Sequence, residues 1–367
     1  MQVDEGINSV SYQSCPMNGG DGPNSYSNNS NYQRRLIEAS KDLINEAIHD
    51  KLEIDSSCVN GSKPFGIADL GCSVGQNTFI AVQNIIEAVE KEYKAKNESN
   101  SPVLEFQVFF NDHSNNDFNS LFRSVPYSSR NYYAAAVAGS FYGRLFPNST
   151  LHFVNCSCAV HWMSKVPTEV LDRESLAWNG NRIHYTTSSE KVYEAYAAQY
   201  KNDLECFLSV RAQELVGGGL MLIVVPGQSS HLVSQTPRAT TTWLLESCLL
   251  EMVKMGSISQ KQVDEFNIPI YFPTLKDMEE ITKNNGNFRV ERMGIVRGKG
   301  YIKPSVEFLV GSMRAVMEEI LKQHFGDEVI EDLFERYAKK VAQNLDSFYT
   351  KFREYEDLFV ILKRKMN

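Results

Sequence analysis

The chain has 367 residues, 42% hydrophobic and 22% charged, which suits one large globular domain with a real core. A net charge of −8 argues against a binder that tracks nucleic-acid phosphates, and the basic cluster Lys363, Arg364 and Lys365 is no longer than an ordinary solvated tail. No run approaches the roughly 20 consecutive apolar residues of a membrane span.

Residues 1–24 are rich in Ser, Asn and Gly and read as an arm without its own core. They carry neither the apolar stretch of a secretory signal nor the basic character of a transit peptide, so a cytoplasmic setting is expected. The seven cysteines agree with it, being odd in number and without a C-x-x-C pair. From Tyr32 to Leu52 apolar residues recur with helical period, and Phe65 to Leu70 (FGIADL) reads as a buried strand running into a helix over 77–93. Leu104 to Phe110 is a second strand, ending at Asn111-Asp112. Tyr132 to Val137, Leu151 to Asn155 and Leu220 to Val225 are further strands, and helices fill 190–215 and 239–255. The region 256–340 is more helical than this rhythm requires, with 306–324 as one helix, and Phe359 to Leu362 returns as a last strand. Strands alternating with helices predict a Rossmann-like α/β core with a mostly parallel sheet. The expected organisation is one domain over 25–367, with an α-helical cap formed mainly from insertions within 160–350.

The first chemically informative segment is IADLGCSVGQN, residues 67–77, where a strand turns through small residues into a helix. Its G-x-x-x-G spacing is neither the dinucleotide G-x-G-x-x-G nor a phosphate-binding G-K-[ST]. Small residues also serve tight strand–helix turns, so the loop alone is weak evidence of a ligand. The next strand adds Asp112, a carboxylate able to accept both hydroxyls of a ribose, and the third adds Gly139-Ser140-Phe141-Tyr142. There Ser140 could bond an adenine edge and Phe141 could stack on its face, although Phe141 is equally readable as core. Acids after two strands (Asp69, Asp112) suit a cationic, phosphate-free adenosyl ligand at the carboxyl ends of the strands.

The motifs GGDGPNSYSNNSNYQ, IADLGCSVGQN, FFNDHSNNDFNSLFRS, GSFYGRLFP, SCAVHWMSKVP, DEFNIPIYFP and MRAVMEEI, in this order, closely resemble the SABATH family of plant carboxyl methyltransferases over nearly the whole chain. The resemblance implies transfer of a methyl group from S-adenosylmethionine to a small carboxylic acid. It places Tyr26, Asp69, Cys72, Asn77, Asp112, His113, Ser140 and Phe141 at the cofactor, and Gln33 and Trp162, with His161 beside them, at the acceptor carboxylate. Outside the motif Trp162 and His161 would read as core residues. The wall around the acceptor is implied to include Cys158, Thr242, Tyr271, Met313 and Val316. The resemblance further implies a structural magnesium ion at Asn179, Asp264, Phe266 and Asn267, and a homodimer.

The chemistry agrees. A carboxylic acid is already ionised at neutral pH, so no general base is needed, and the Gln amide and indole N–H are neutral donors suited to a carboxylate. His161 stands where benzenoid-specific members carry Met, and Cys158 and Thr242 are small where those members carry Tyr and Trp. Asp112-His113 is more similar to the pair in loganic and farnesoic acid methyltransferases. An iridoid, terpenoid or jasmonate-like acid is therefore expected over a benzenoid one. Two departures from the family pattern, Val74 and Gln76, fall in the cofactor loop. The alternatives are a purine N-methyltransferase of the same family and a non-catalytic acid-binding protein.

Overall fold

The computed structural model describes residues 15–54, 56–97, 102–126, 130–228, 236–298, 304–351 and 356–366. Residues 1–14 of the expected arm lie outside that range. The strands are β1 (Phe65–Leu70), β2 (Phe106–Asp112), β3 (Tyr133–Ala138), β4 (Leu151–Ser157), β5 (Leu215–Gly227), β6 (Phe288–Val296) and β7 (Glu356–Arg364). They form one sheet in the order β3-β2-β1-β4-β5-β7-β6. The first five run parallel, and β7 is antiparallel to both β5 and β6.

All six residues of β1 are buried, as expected of a strand covered on both faces. In β5 the alternation is visible: Leu220, Leu222 and Val224 join the core on one face, Met221, Ile223 and Val225 the core on the other. The first of these faces is covered by helices Asn31–Lys51 and Gln76–Lys96, the second by helix Glu190–Glu214. A third core belongs to the cap. It packs helix Pro237–Lys254 against helices Val306–Phe325 and Ile330–Gln343 through Leu244, Leu249, Leu321, Phe334 and Tyr337. The region expected to be helical also contains β6, an outer strand of the sheet. No helix among the described residues is long and apolar enough to cross a membrane.

β1 and β4 are adjacent, with Asp69 opposite Asn155, while β2 lies on the other side of β1. The connections therefore leave β1 and β4 in opposite directions, and a crevice opens beyond their carboxyl ends.

Candidate active site

The loop after β1 is built for close approach. Gly71 takes φ +75°, and a Cβ there would lie 2.4 Å from that of Ala159; Gly75 takes φ +95°, and its Cβ would lie 2.7 Å from the Ser27 hydroxyl. Glycine adopts such conformations without the steric cost other residues meet. The loop thus packs against two others, one following β4 and one carrying Tyr26.

Together they border a half-open cavity of about 530 Å³. On the side of β1, β2 and β3 it is lined by Tyr26, Ser73, Asp112, His113, Ser140 and Phe141. The Asp112 carboxylate accepts from the backbone N–H groups of Ser73 (2.7 Å) and His113 (2.8 Å). Burial nonetheless pushes its carboxyl upward, and burial lowers the basicity of His113. Phe141 packs edge-on against Tyr142 and Phe207, and its carbonyl accepts from Nη1 of the fully buried Arg211 at 2.8 Å. Ser73 Oγ is buried without a protein partner. A carboxylate, an unspent hydroxyl and an aromatic face, with no Lys or Arg among the six, fit an adenosyl ligand that carries no phosphate.

The rest of the wall comes from the loop after β4, the first turn of helix Asn31–Lys51 and the cap: Gln33, Cys158, His161, Trp162, Thr242, Met313 and Val316 all line it. Cys158 sits in the left-handed region at φ +56°, a strained conformation for a residue with a Cβ, and its N–H is tied to Val224 of β5 at 2.8 Å. Beyond it the backbone is pinned on both sides. Tyr271 N–H donates to the His161 carbonyl (2.9 Å), and the Tyr142 hydroxyl donates to that of Trp162 (2.7 Å). His161 stacks on Phe272 with ring centroids 6.2 Å apart. Burial, and then the Arg238 charge, push its imidazole down to about 3, so it is neutral at physiological pH. Its Nδ1 and Gln33 Oε1 are both buried with no protein partner. In a folded protein such groups are normally satisfied, and both residues line the cavity. Thr242 donates its hydroxyl to the Arg238 carbonyl at 3.0 Å, so the wall there is less polar than the residue type suggests.

A family model described as SAM dependent carboxyl methyltransferase matches residues 12–365. The chain belongs to that family. It is 46% identical to the loganic acid O-methyltransferase of Catharanthus roseus, over 96% of this chain and 95% of that one. It is 41% identical to the farnesoic acid carboxyl-O-methyltransferase of Arabidopsis thaliana, over 96% and 99%. A solved structure of loganic acid methyltransferase with SAH matches with a TM-score of 0.90, covering 96% of this chain and 99% of that one at 46% identity. The protein is therefore an S-adenosylmethionine-dependent carboxyl methyltransferase with the Rossmann-like fold expected of it.

Not every residue the motifs suggested reaches the cavity of this carboxyl methyltransferase. Asp69 accepts from Asn155 Nδ2 at 2.6 Å and from the Thr78 hydroxyl, and burial pushes its carboxyl up to about 6. Both oxygens serve the scaffold of the loop. Cys72 is buried, its thiol turned to the Ser73 carbonyl at 3.6 Å. Asn77 donates to the carbonyl (3.1 Å) and hydroxyl (2.9 Å) of Ser30. It thereby fixes the start of the helix that presents Gln33. Tyr271 is fully buried, its hydroxyl meeting Tyr193 at 2.9 Å and Asp277 at 3.2 Å. Its neighbour Phe272 lines the cavity instead. Ser73, Tyr32, Arg238, Phe272 and residues 15–17 of the arm also line it, and sequence reasoning assigned none of them.

The set suggested for magnesium does come together, but its side-chain oxygens already face donors. Asn267 Oδ1 accepts from Asn179 Nδ2 (2.6 Å), and Asn179 Oδ1 from the Ser188 hydroxyl (2.5 Å). Asp264 accepts from Asn181 N–H and Gln260, with Arg173 3.3 Å from its second oxygen. Phe266 packs its ring on His324 and Phe325. A hard cation wants several free oxygens, and a single carboxylate already facing a guanidinium does not provide them. This carboxyl methyltransferase should keep its melting temperature when a chelator replaces magnesium in the buffer; a fall of several degrees would show that the cluster rearranges around an ion.

Proposed function

We propose that this enzyme forms the methyl ester of an iridoid or terpenoid acid, holding the acceptor carboxylate with Gln33 and Trp162. The observation that carries the reading is the shared cavity. The polar groups suited to an adenosyl ligand line the same space as Gln33, His161 and Trp162, and Gln33 and His161 each keep a buried hydrogen-bonding atom unspent. The relatives acting on loganic and farnesoic acid point to the same class of acceptor.

S-adenosylmethionine supplies an electrophilic methyl carbon. The carboxylate oxygen is already a nucleophile, so no residue has to remove a proton. What the chain contributes is position: a neutral amide and an indole hold the anion so that one oxygen points at the methyl carbon. His161, neutral at its lowered pKa, adds no charge beside them. Enclosure strips water from the carboxylate, which raises its reactivity. The test is a competition assay with loganic, farnesoic, jasmonic and salicylic acids and xanthine, read by mass spectrometry. Preferential methylation of loganic or farnesoic acid is expected. Preference for xanthine would favour the purine reading, and tight acid binding without product the non-catalytic one.

A further inference from the structure

An arginine lines the cavity of an enzyme that must bind an anion without holding it too firmly. Arg238, at the start of helix Pro237–Lys254, lines the wall with Tyr32, Cys158 and Phe272. Its guanidinium lies over the Phe272 ring, 4.9 Å from the centroid, and Phe272 in turn stacks on His161. Beside it is Asp357, the second residue of β7 and 4% exposed. Arg238 Nη2 donates to Asp357 Oδ1 and to the Tyr32 hydroxyl, both at 2.9 Å, and Tyr32 donates to the same carboxylate oxygen. Arg238 Nη1 donates to the Gly227 carbonyl at 2.5 Å. The cation is thus anchored by strand ends and cancelled by a buried carboxylate directly behind the helix turn that bears Gln33.

We infer that Asp357 is a positioning residue that neutralises Arg238, so that this part of the wall presents no net charge to the acceptor carboxylate. The physical reason is differential binding. In the methyl transfer a C–S bond breaks as a C–O bond forms, and the negative charge of the acid disappears along with the positive charge of the donor. A bare cation near the carboxylate would stabilise the ground state more than the transition state, lowering KM and kcat together. Asp357 removes that trap while leaving Arg238 to brace the wall. The inference depends on the acceptor being a carboxylic acid, as proposed above.

The experiment uses the full-length enzyme, saturated with SAH, and the best acid of the panel beside its uncharged primary amide. With Asp357→Asn, isosteric and still able to accept from Tyr32 and Arg238, the acid should bind about tenfold more tightly while the amide is unchanged. In turnover its KM and kcat should both fall. Arg238→Gln leaves the Asp357 charge uncompensated and should weaken acid binding by a similar factor, again sparing the amide. The double variant should return acid binding to within about threefold of wild type, since positions 238 and 357 together again carry no net charge. Each single variant is read against its own amide control, so a selective shift of the predicted sign in either one supports the inference if the other folds poorly. Equal effects on acid and amide, or no effect on either, would overturn it in an enzyme that still esterifies the acid. A wild-type enzyme that methylates no carboxylic acid would instead refute the acceptor assignment itself.

Discussion

Replacing Gln33 and Trp162 together by alanine is expected to lower kcat by about 100-fold or more while SAH binds within about twofold of wild type. The two residues reach the cavity from separate elements. Gln33 comes from the first turn of helix Asn31–Lys51, and Trp162 from the loop after β4, pinned by Tyr142 and by a bridge to Ile270. Neither is among the groups, such as Asp112, Ser140 and Phe141, that would meet an adenosyl ligand, so cofactor binding should not follow turnover down. The single variants should lose less than their combination implies, because one remaining donor still orients the anion and such effects are not additive. The check is steady-state kinetics with the preferred acid beside calorimetric titration of SAH. Undiminished turnover in the double variant would mean the carboxylate is held elsewhere.

Arg211→Met should destabilise the protein by about 3–5 kcal/mol, the range for breaking a buried ion pair by removing one partner. Arg211 and Glu214 are both fully buried on helix Glu190–Glu214, with Nε 2.7 Å from Oε2. The guanidinium also donates to the carbonyls of Phe141 and Gly143 at 2.8 Å each. Glu214 in turn accepts from the N–H groups of Leu145 (2.7 Å) and Phe146 (3.1 Å). The pair therefore clamps the whole 141–146 loop, and SAH affinity should fall with stability as Phe141 loses its anchor. Adding Glu214→Gln, which keeps an acceptor for Leu145 and Phe146 but removes a buried charge then facing only the half-exposed Arg144 at 3.5 Å, should recover most of the lost stability. Urea unfolding measures this directly; a loss under about 1 kcal/mol in Arg211→Met would show that the clamp is not needed.

The parallel core was legible because its strands are unambiguous. FGIADL is short, apolar and bounded by turn residues, and the structure places β1 on those same six residues. β6 was not legible. In FRVERMGIV only the first and last residues are buried, and charged side chains interrupt any alternation, as suits an outer strand paired on one side. Gln33, His161 and Trp162, which all line the cavity, were legible because they sit in distinctive motifs. The motifs marked loops, however, and not the direction of each side chain. Asp69, Cys72 and Asn77 belong to or flank the cofactor loop, yet their polar atoms face its supports. Tyr271 and Phe272 are adjacent in an extended segment, and adjacent residues there point to opposite sides. Arg238 and Asp357 left no trace at all. They are 119 residues apart and meet only because β7 lies beside β5 in the folded sheet.

In this carboxyl methyltransferase the methyl group goes to a carboxylate oxygen. This is tested most directly by incubating the enzyme with methyl-deuterated S-adenosylmethionine and the preferred acid, then treating the product with alkali. The expected product carries one labelled methyl group, and alkali returns it to the starting acid with release of labelled methanol. A labelled product that survives alkali, with its methyl on nitrogen or on an ether oxygen, would contradict it.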